Sequence, residues 1–341
     1  MTPTPTGATV EQVKAWVDAK FQDRTKYGSF NGAVLLASAG QVILSSGCGF
    51  SDRDKKTPNT PQTKFLIGSM TRAFTAMGIM ILQERGKLNV QDKLCQYLQD
   101  CPPAWQPVTL HQMLASSSGI PDASEASYTS TLTSTLPLIA EAKAMPVVFP
   151  AGTDFSFSYM DYYLLGQVIE IVSGQSYEDF LQANIFTPLG MSDTGLAHNL
   201  DGLAIGYANR TSTVADNQFL FAGDADDGLY STVEDLYRWD QALNSEILVS
   251  QKSLDAIFTA HTPSPVIGAG TSYGYGWILF TELGKNWVFH PAWSKPGFLT
   301  EIYRLPSDEI VIIILSNQWD ANVHGTAFEI IDILIRRYLT P

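Results

Sequence analysis

The stretch FLIGSMTRAFTAMGIMILQERGKL, residues 65–88, decides how the rest of the chain is read. Ser69 stands where the chain turns into an amphipathic helix, one helical turn before Arg72. A helix start suits a nucleophilic hydroxyl, because its free N–H groups stabilise developing negative charge. Arg72 is no base. Its guanidinium stays protonated above about pH 12 and only donates, whereas a lysine at that spacing could lose its proton and accept one from serine. The stretch therefore presents a nucleophile without its partner.

Working outward, residues 9–23 (TVEQVKAWVDAKFQD) place Val10, Val13, Trp16 and Val17 at helical spacing. GAVLLASAGQVILSSGCGF, residues 32–50, reads as a hairpin about SAGQ, and the loop SDRDKKTPNTPQT leads to the opening helix. The helical period then dominates to about residue 250: VTLHQMLASS stops before Gly119, MDYYLLGQVIEIVSG stops at Gly174, and TVEDLYRWDQALN follows the cap candidate Ser231. Strand patterns return in YGYGWILF, NWVFHPAWS, LTEIYRLP and EIVIIILSNQ, before a last amphipathic helix, GTAFEIIDILIRRYL.

This order predicts an α+β fold. An antiparallel sheet is built from both chain ends and covered by terminal helices, with a mostly helical inserted lobe. The expected organisation is one domain over 1–341, with 8–68 and 266–341 as the α/β part and 69–250 as the lobe. The cleft between them is the expected ligand site. EASYTSTLTSTLPL, residues 125–138, is biased enough to suggest a mobile surface segment.

Composition narrows the function classes. Of the 341 residues, 45% are apolar, and 34 acidic residues outnumber 21 basic ones without a Lys/Arg-rich run, so neither nucleic acid nor a membrane surface is an expected partner. The opening MTPTPTGATVEQ has no basic start or apolar core, and no apolar run reaches the roughly 18 residues of a membrane span, so a cytoplasmic location is expected. Cys48, Cys95 and Cys101 form no metal-like pair and are expected as separate reduced thiols, with a Cys95–Cys101 bridge as the alternative. His111, His198, His261, His290 and His324 lack metal-ligand spacing, and no metal or cofactor is implied. Asp224, Asp226 and Asp227 in GDADDGL read as a solvated acidic loop, and His111 and Asp235 as polar helix positions. The serines of ASSSGI read as a helix end and turn.

Five stretches in order, FLIGSMTR, VTLHQMLASSSGIPD, FSFSYMDYYLLGQVIEIVSG, GLYSTVEDLYRWDQAL and HPAWSKPGF, resemble the serine β-lactamase and penicillin-binding-protein-like family, especially its class C and esterase branch. The similarity spans about residues 10–340. It implies a catalytic serine with a lysine three residues later, a Tyr-x-Asn pair and a Lys/His-x-Gly strand beside the oxyanion hole. Carried over, Ser69 holds the nucleophile position and Arg72 replaces the lysine. Phe157 and Tyr159 replace the tyrosine and asparagine, and the strand motif reads His290, Pro291, Ala292, followed by Trp293, whose bulk is expected to narrow the cleft.

Arg72 cannot activate Ser69 by charge alone. A cation about 4 Å away contributes about 4 kcal/mol at an effective dielectric near 20, or about 3 pKa units, against an aliphatic hydroxyl near 16. His290 and Tyr159 are the candidate substitute bases. Three functions follow. One is a small-molecule enzyme repurposed for non-acyl chemistry (cyclisation, isomerisation or elimination), in which Arg72, Ser69, His290 and Asp161 orient an apolar or aromatic ligand among Phe157, Tyr159 and Trp293. The second is an esterase, amidase or acyltransferase using Ser69 with His290 or Tyr159. The third is a catalytically silent ligand-binding homologue. Phe157 or Trp293 plugging the cleft favours the third, and an open pocket with a base at Ser69 favours the others.

Overall fold

The computed structural model describes residues 7–128, 134–198, 201–211, 225–266, 268–294 and 297–338. Eight strands make the main sheet: β1 (Gly32–Ser38), β2 (Gln41–Cys48), β3 (Thr262–Pro263), β4 (Ser272–Tyr273), β5 (Ile278–Glu282), β6 (Lys285–Ser294), β7 (Phe298–Leu305) and β8 (Ile310–Ser316). Their order is β2-β1-β8-β7-β6-β5-β4-β3, and every neighbouring pair is antiparallel. The join between the chain ends is β1 against β8, in register Gly32↔Ser316 to Ser38↔Ile310.

The apolar run IVIIILS of β8 is buried along its whole length because both faces of the sheet are covered. Ile310, Ile312 and Ile314 face α1 (Val10–Lys26) and the C-terminal helix, while Val311, Ile313 and Leu315 face the helical lobe. Burying each such side chain contributes about 1.5–3 kcal/mol. Helix α1 starts on a Thr9–Gln12 capping box and buries Val13, Val17 and Phe21.

Helix α2 (Thr71–Glu84) departs from the amphipathic expectation: every residue from Thr71 to Leu82 is buried. It runs through the lobe centre, packed by α3 (Tyr159–Ser173), by the short helices Tyr177–Leu181 and Gln251–Ile257, and by its own entry turn. The lobe thus extends to Ile257. Helix α3 ends at Gly174 in the left-handed region, as expected. Helix α4 (Val233–Ala242) is capped by Thr232, whose hydroxyl accepts from Asp235 N–H, rather than by Ser231. Ser231 instead hydrogen-bonds Thr194.

The cysteine expectation is corrected. Cys95 and Cys101 are joined, with Cα atoms 5.4 Å apart. Buried Leu94 and Trp105 anchor the two ends of this turn, and Asp100 takes a positive φ that folds it back. Cys48 is a buried thiol, which burial pushes up to about 11. The segment expected to be mobile lies partly outside the described residues, at 129–133, as does Asp224. Among the described residues, no helix is long and apolar enough to cross a membrane.

Candidate active site

Ser69 is placed by a three-strand ribbon and a tight turn. Phe65–Leu66 pairs with Leu229–Ser231, Ile67 N–H reaches Leu229 O at 2.9 Å, and the chain then makes a 3-10 turn over Gly68–Met70 into α2. Thr71 Oγ1 ties the turn, donating to Gly68 O at 2.7 Å. Gly68 is required by the approach of β6: at φ +50, a Cβ would stand 3.1 Å from the Trp293 carbonyl and 3.3 Å from the Ala292 Cβ. Ala292, 2% exposed, therefore packs on the turn beneath Ser69 rather than lining an open pocket.

Ser69 is 6% exposed, and its Oγ donates to the Pro291 carbonyl at 3.5 Å. The same carbonyl takes His290 Nδ1 at 2.8 Å. A carbonyl only accepts, so Nδ1 carries the proton and Nε2 holds the lone pair. Nε2 is buried without a hydrogen-bond partner among the described residues. His290 and Ser69 thus share an acceptor instead of bonding to each other, and the expected dyad is not formed. Burial, then the Arg72 charge, pushes His290 down to about 3, so the ring is neutral.

Arg72 points away from Ser69. Its Nε donates to Asp226 at 2.6 Å, with both side chains wholly buried. Burial works against the guanidinium charge, but Asp226, Tyr273 and Tyr162 outweigh it and hold the group protonated. Burial pushes Asp226 up to about 8 despite the opposing pull of Arg72. The solvated-loop expectation for this residue is overturned: a buried cation requires a buried acceptor, and residues 225–227 fold inward to supply it. Phe157 stacks on the guanidinium with its ring centre 3.7 Å from Cζ, Tyr162 lies at 4.9 Å and Tyr159 at 5.7 Å.

Tyr159, the first residue of α3, is 43% exposed and packs 6.0 Å from the Tyr128 ring; it makes no hydrogen bond to Ser69. Asp161 is wholly buried. Burial holds its carboxyl well above the usual range, with the Ser118 hydroxyl opposing and Asp122 adding to the effect. Trp293 is 51% exposed; strand alternation sends it to the face opposite Ala292, so it does not narrow the cleft. Phe157, half-buried, covers the Arg72 guanidinium.

The pairwise partners escaped sequence reasoning. Asp122 caps α3, accepting from Ser158 Oγ at 3.0 Å and Met160 N–H at 2.8 Å, and Tyr273, in β4, joins the cluster with its ring 6.0 Å from that of Phe157. A lone cation in an apolar helix was the available signal for a buried acid; nothing in the sequence selected Asp226 over its neighbours.

This arrangement of sheet, lobe and serine turn is matched by the Beta-lactamase family model over residues 17–333. The chain belongs to the beta-lactamase family. Penicillin-binding protein 4* of Bacillus subtilis (strain 168) is 29% identical over 315 residues, which cover 85% of this chain and 68% of that protein. The octameric penicillin-binding protein homologue from Pyrococcus abyssi superposes with a TM-score of 0.86 at 27% identity, covering 95% of this chain and 77% of its own. The D-amino acid amidase from Ochrobactrum anthropi SV3, in its complex with L-phenylalanine amide, has a TM-score of 0.83 at 21% identity, covering 95% of this chain and 98% of its own, a likeness of fold. Family membership gives the scaffold; the contacts around Ser69 bear on what it does.

Proposed function

We propose that this chain is an acyl-transfer-silent member of the beta-lactamase family that binds a small apolar or aromatic molecule in the cleft above Ser69. The observation that carries this reading is Arg72: at the position where the resemblance implies a lysine, its Nε is held by Asp226 at 2.6 Å and Phe157 covers its face. Activation of Ser69 needs a proton acceptor within hydrogen-bond reach. The only acceptor at Oγ among the described residues is the Pro291 carbonyl, which cannot take a proton at neutral pH.

A non-acyl reaction is the second reading, favoured by the Asp226 carboxyl, which at about 8 is poised for proton transfer near neutrality. Asp226 is engaged by Arg72 Nε at 2.6 Å, however, so binding without turnover fits the geometry better.

Intact-mass measurement after incubation with a fluorophosphonate, benzylpenicillin and nitrocefin tests the proposal. No adduct and no nitrocefin turnover are expected. An adduct on the wild type that disappears in Ser69→Ala would overturn it.

A further inference from the structure

The cluster around Arg72 has an unusual balance of donors. Among the described residues, Arg72 Nη1 and Nη2 and the Tyr273 hydroxyl are buried without a hydrogen bond of good geometry, although Tyr273 lies close enough to Arg72 and Tyr162 for weak side-chain hydrogen bonds to both. A buried polar group left in that state costs about 1–3 kcal/mol, more when charged. Phe157 is in ring contact with the whole set: 3.7 Å from the guanidinium carbon, 6.0 Å from the Tyr273 ring and 6.2 Å from the His290 ring. Tyr162 and Tyr273 are wholly buried, whereas Phe157 is half-buried and Tyr159 exposed. The way from solvent to the guanidinium therefore passes Phe157 and Tyr159. Phe157 sits in the linker entering α3, where neighbouring Ser156 N–H is tied to Ser116 O at 2.9 Å and Ser158 Oγ to Asp122 at 3.0 Å. The linker is anchored on both sides of a ring that rests on its neighbours by stacking.

We propose that Phe157 is a displaceable plug over a carboxylate-binding subsite made by Arg72 and Tyr273, and that its ligand is a small aromatic monocarboxylate. The paired Nη donors match the two oxygens of a carboxylate, and the Tyr273 hydroxyl supplies a third donor. Displacing Phe157 opens the guanidinium to the ligand, whose aromatic part packs against neutral His290 and Tyr159. Charge balance agrees. The groups facing the guanidinium are Asp226, Asp161, Asp122, Tyr159, Tyr162, Tyr273 and His290, with Asp227 beside Asp226. Burial raises the three carboxyls and keeps the tyrosines and His290 neutral, which weakens the counter-charge around the cation that a carboxylate would supply.

The inference rests on the ligand-binding reading above. Calorimetric titration of the full chain with benzoate and with benzamide tests it, using wild type, Phe157→Ala and Phe157→Ala/Tyr273→Phe. Benzoate should bind Phe157→Ala at least about tenfold tighter than wild type, the added Tyr273→Phe change should return about tenfold, and benzamide should bind none of them measurably. Equal binding of benzoate and benzamide, or no gain from removing Phe157, would overturn the subsite and leave the orphaned donors to ordered water. Failure to bind benzoate with Ser69 still unlabelled by fluorophosphonate would sink this inference alone. Labelling of Ser69 would sink the silent-homologue reading whatever the titration shows.

Discussion

His290 should make the fold acid-sensitive in a way that a single substitution removes. In the folded chain its imidazole is wholly buried, its Nδ1 donates to Pro291, and burial with the nearby Arg72 charge depresses its pKa to about 3. In the unfolded chain it titrates near 6.5. Above about pH 6.5 both states are neutral and no stability is lost. As pH falls from there to about 3, the unfolded state binds a proton that the folded state refuses, and stability drops by about 1.4 kcal/mol per pH unit. The loss is about 2 kcal/mol at pH 5 and approaches about 5 kcal/mol at the lower limit, a large share of the 5–15 kcal/mol of a typical domain. His290→Gln keeps a donor for Pro291 but cannot take up the proton. Urea unfolding of both proteins from about pH 7.5 to 4 gives the difference curve, in which slopes from Asp161 and Asp226 largely cancel. The difference should be flat above about pH 6.5 and change by one proton's slope below it. A pH-independent difference would refute the assignment of His290 as a buried neutral ring.

Three further outcomes follow from the same contacts. Asp226→Leu, leaving Arg72 Nε without an acceptor, should cost about 3 kcal/mol in denaturant unfolding, and Asp226→Asn, which keeps an acceptor oxygen for Nε, should cost less. Opening the Cys95–Cys101 bridge, which spans a sequence separation of 6, should cost about 2 kcal/mol by loop entropy, read as a lower urea midpoint of Cys95→Ser/Cys101→Ser. Gly68→Ala should cost about 1–3 kcal/mol, because its φ of +50 and the nearby Trp293 carbonyl both oppose a Cβ; an unchanged melting temperature would contradict the close packing of β6 on the Ser69 turn.

Periodicity made the frame legible. The strand patterns at both ends, the helices ending at Gly174 and the buried run of β8 are local signals, because side chains alternate with period two in strands and repeat near 3.6 in helices. The ordered motifs located Ser69, Arg72, Phe157, Tyr159 and His290, and the structure gathers Arg72, Phe157, Tyr159 and His290 around one guanidinium while Ser69 shares the Pro291 carbonyl with His290. The absence of a lysine at position 72 was visible as well.

Which partner each of these side chains meets was decided by tertiary contacts. Arg72 turns to Asp226, 154 residues away in sequence, because a guanidinium sealed from water needs an acceptor and the lobe offers that one. His290 and Ser69 lie 221 positions apart by number and meet at a carbonyl neither motif contains as a side chain, so no pattern of residue types could show that they compete rather than cooperate. Phe157 and Trp293 both read as possible plugs of the cleft, yet strand alternation points Trp293 outward while packing puts Phe157 over the cation. The chain's own sequence determined which groups arrive at the cleft; the direction each one faces depends on how the sheet and the lobe close on one another, and hydrogen bonding and charge burial depend on direction.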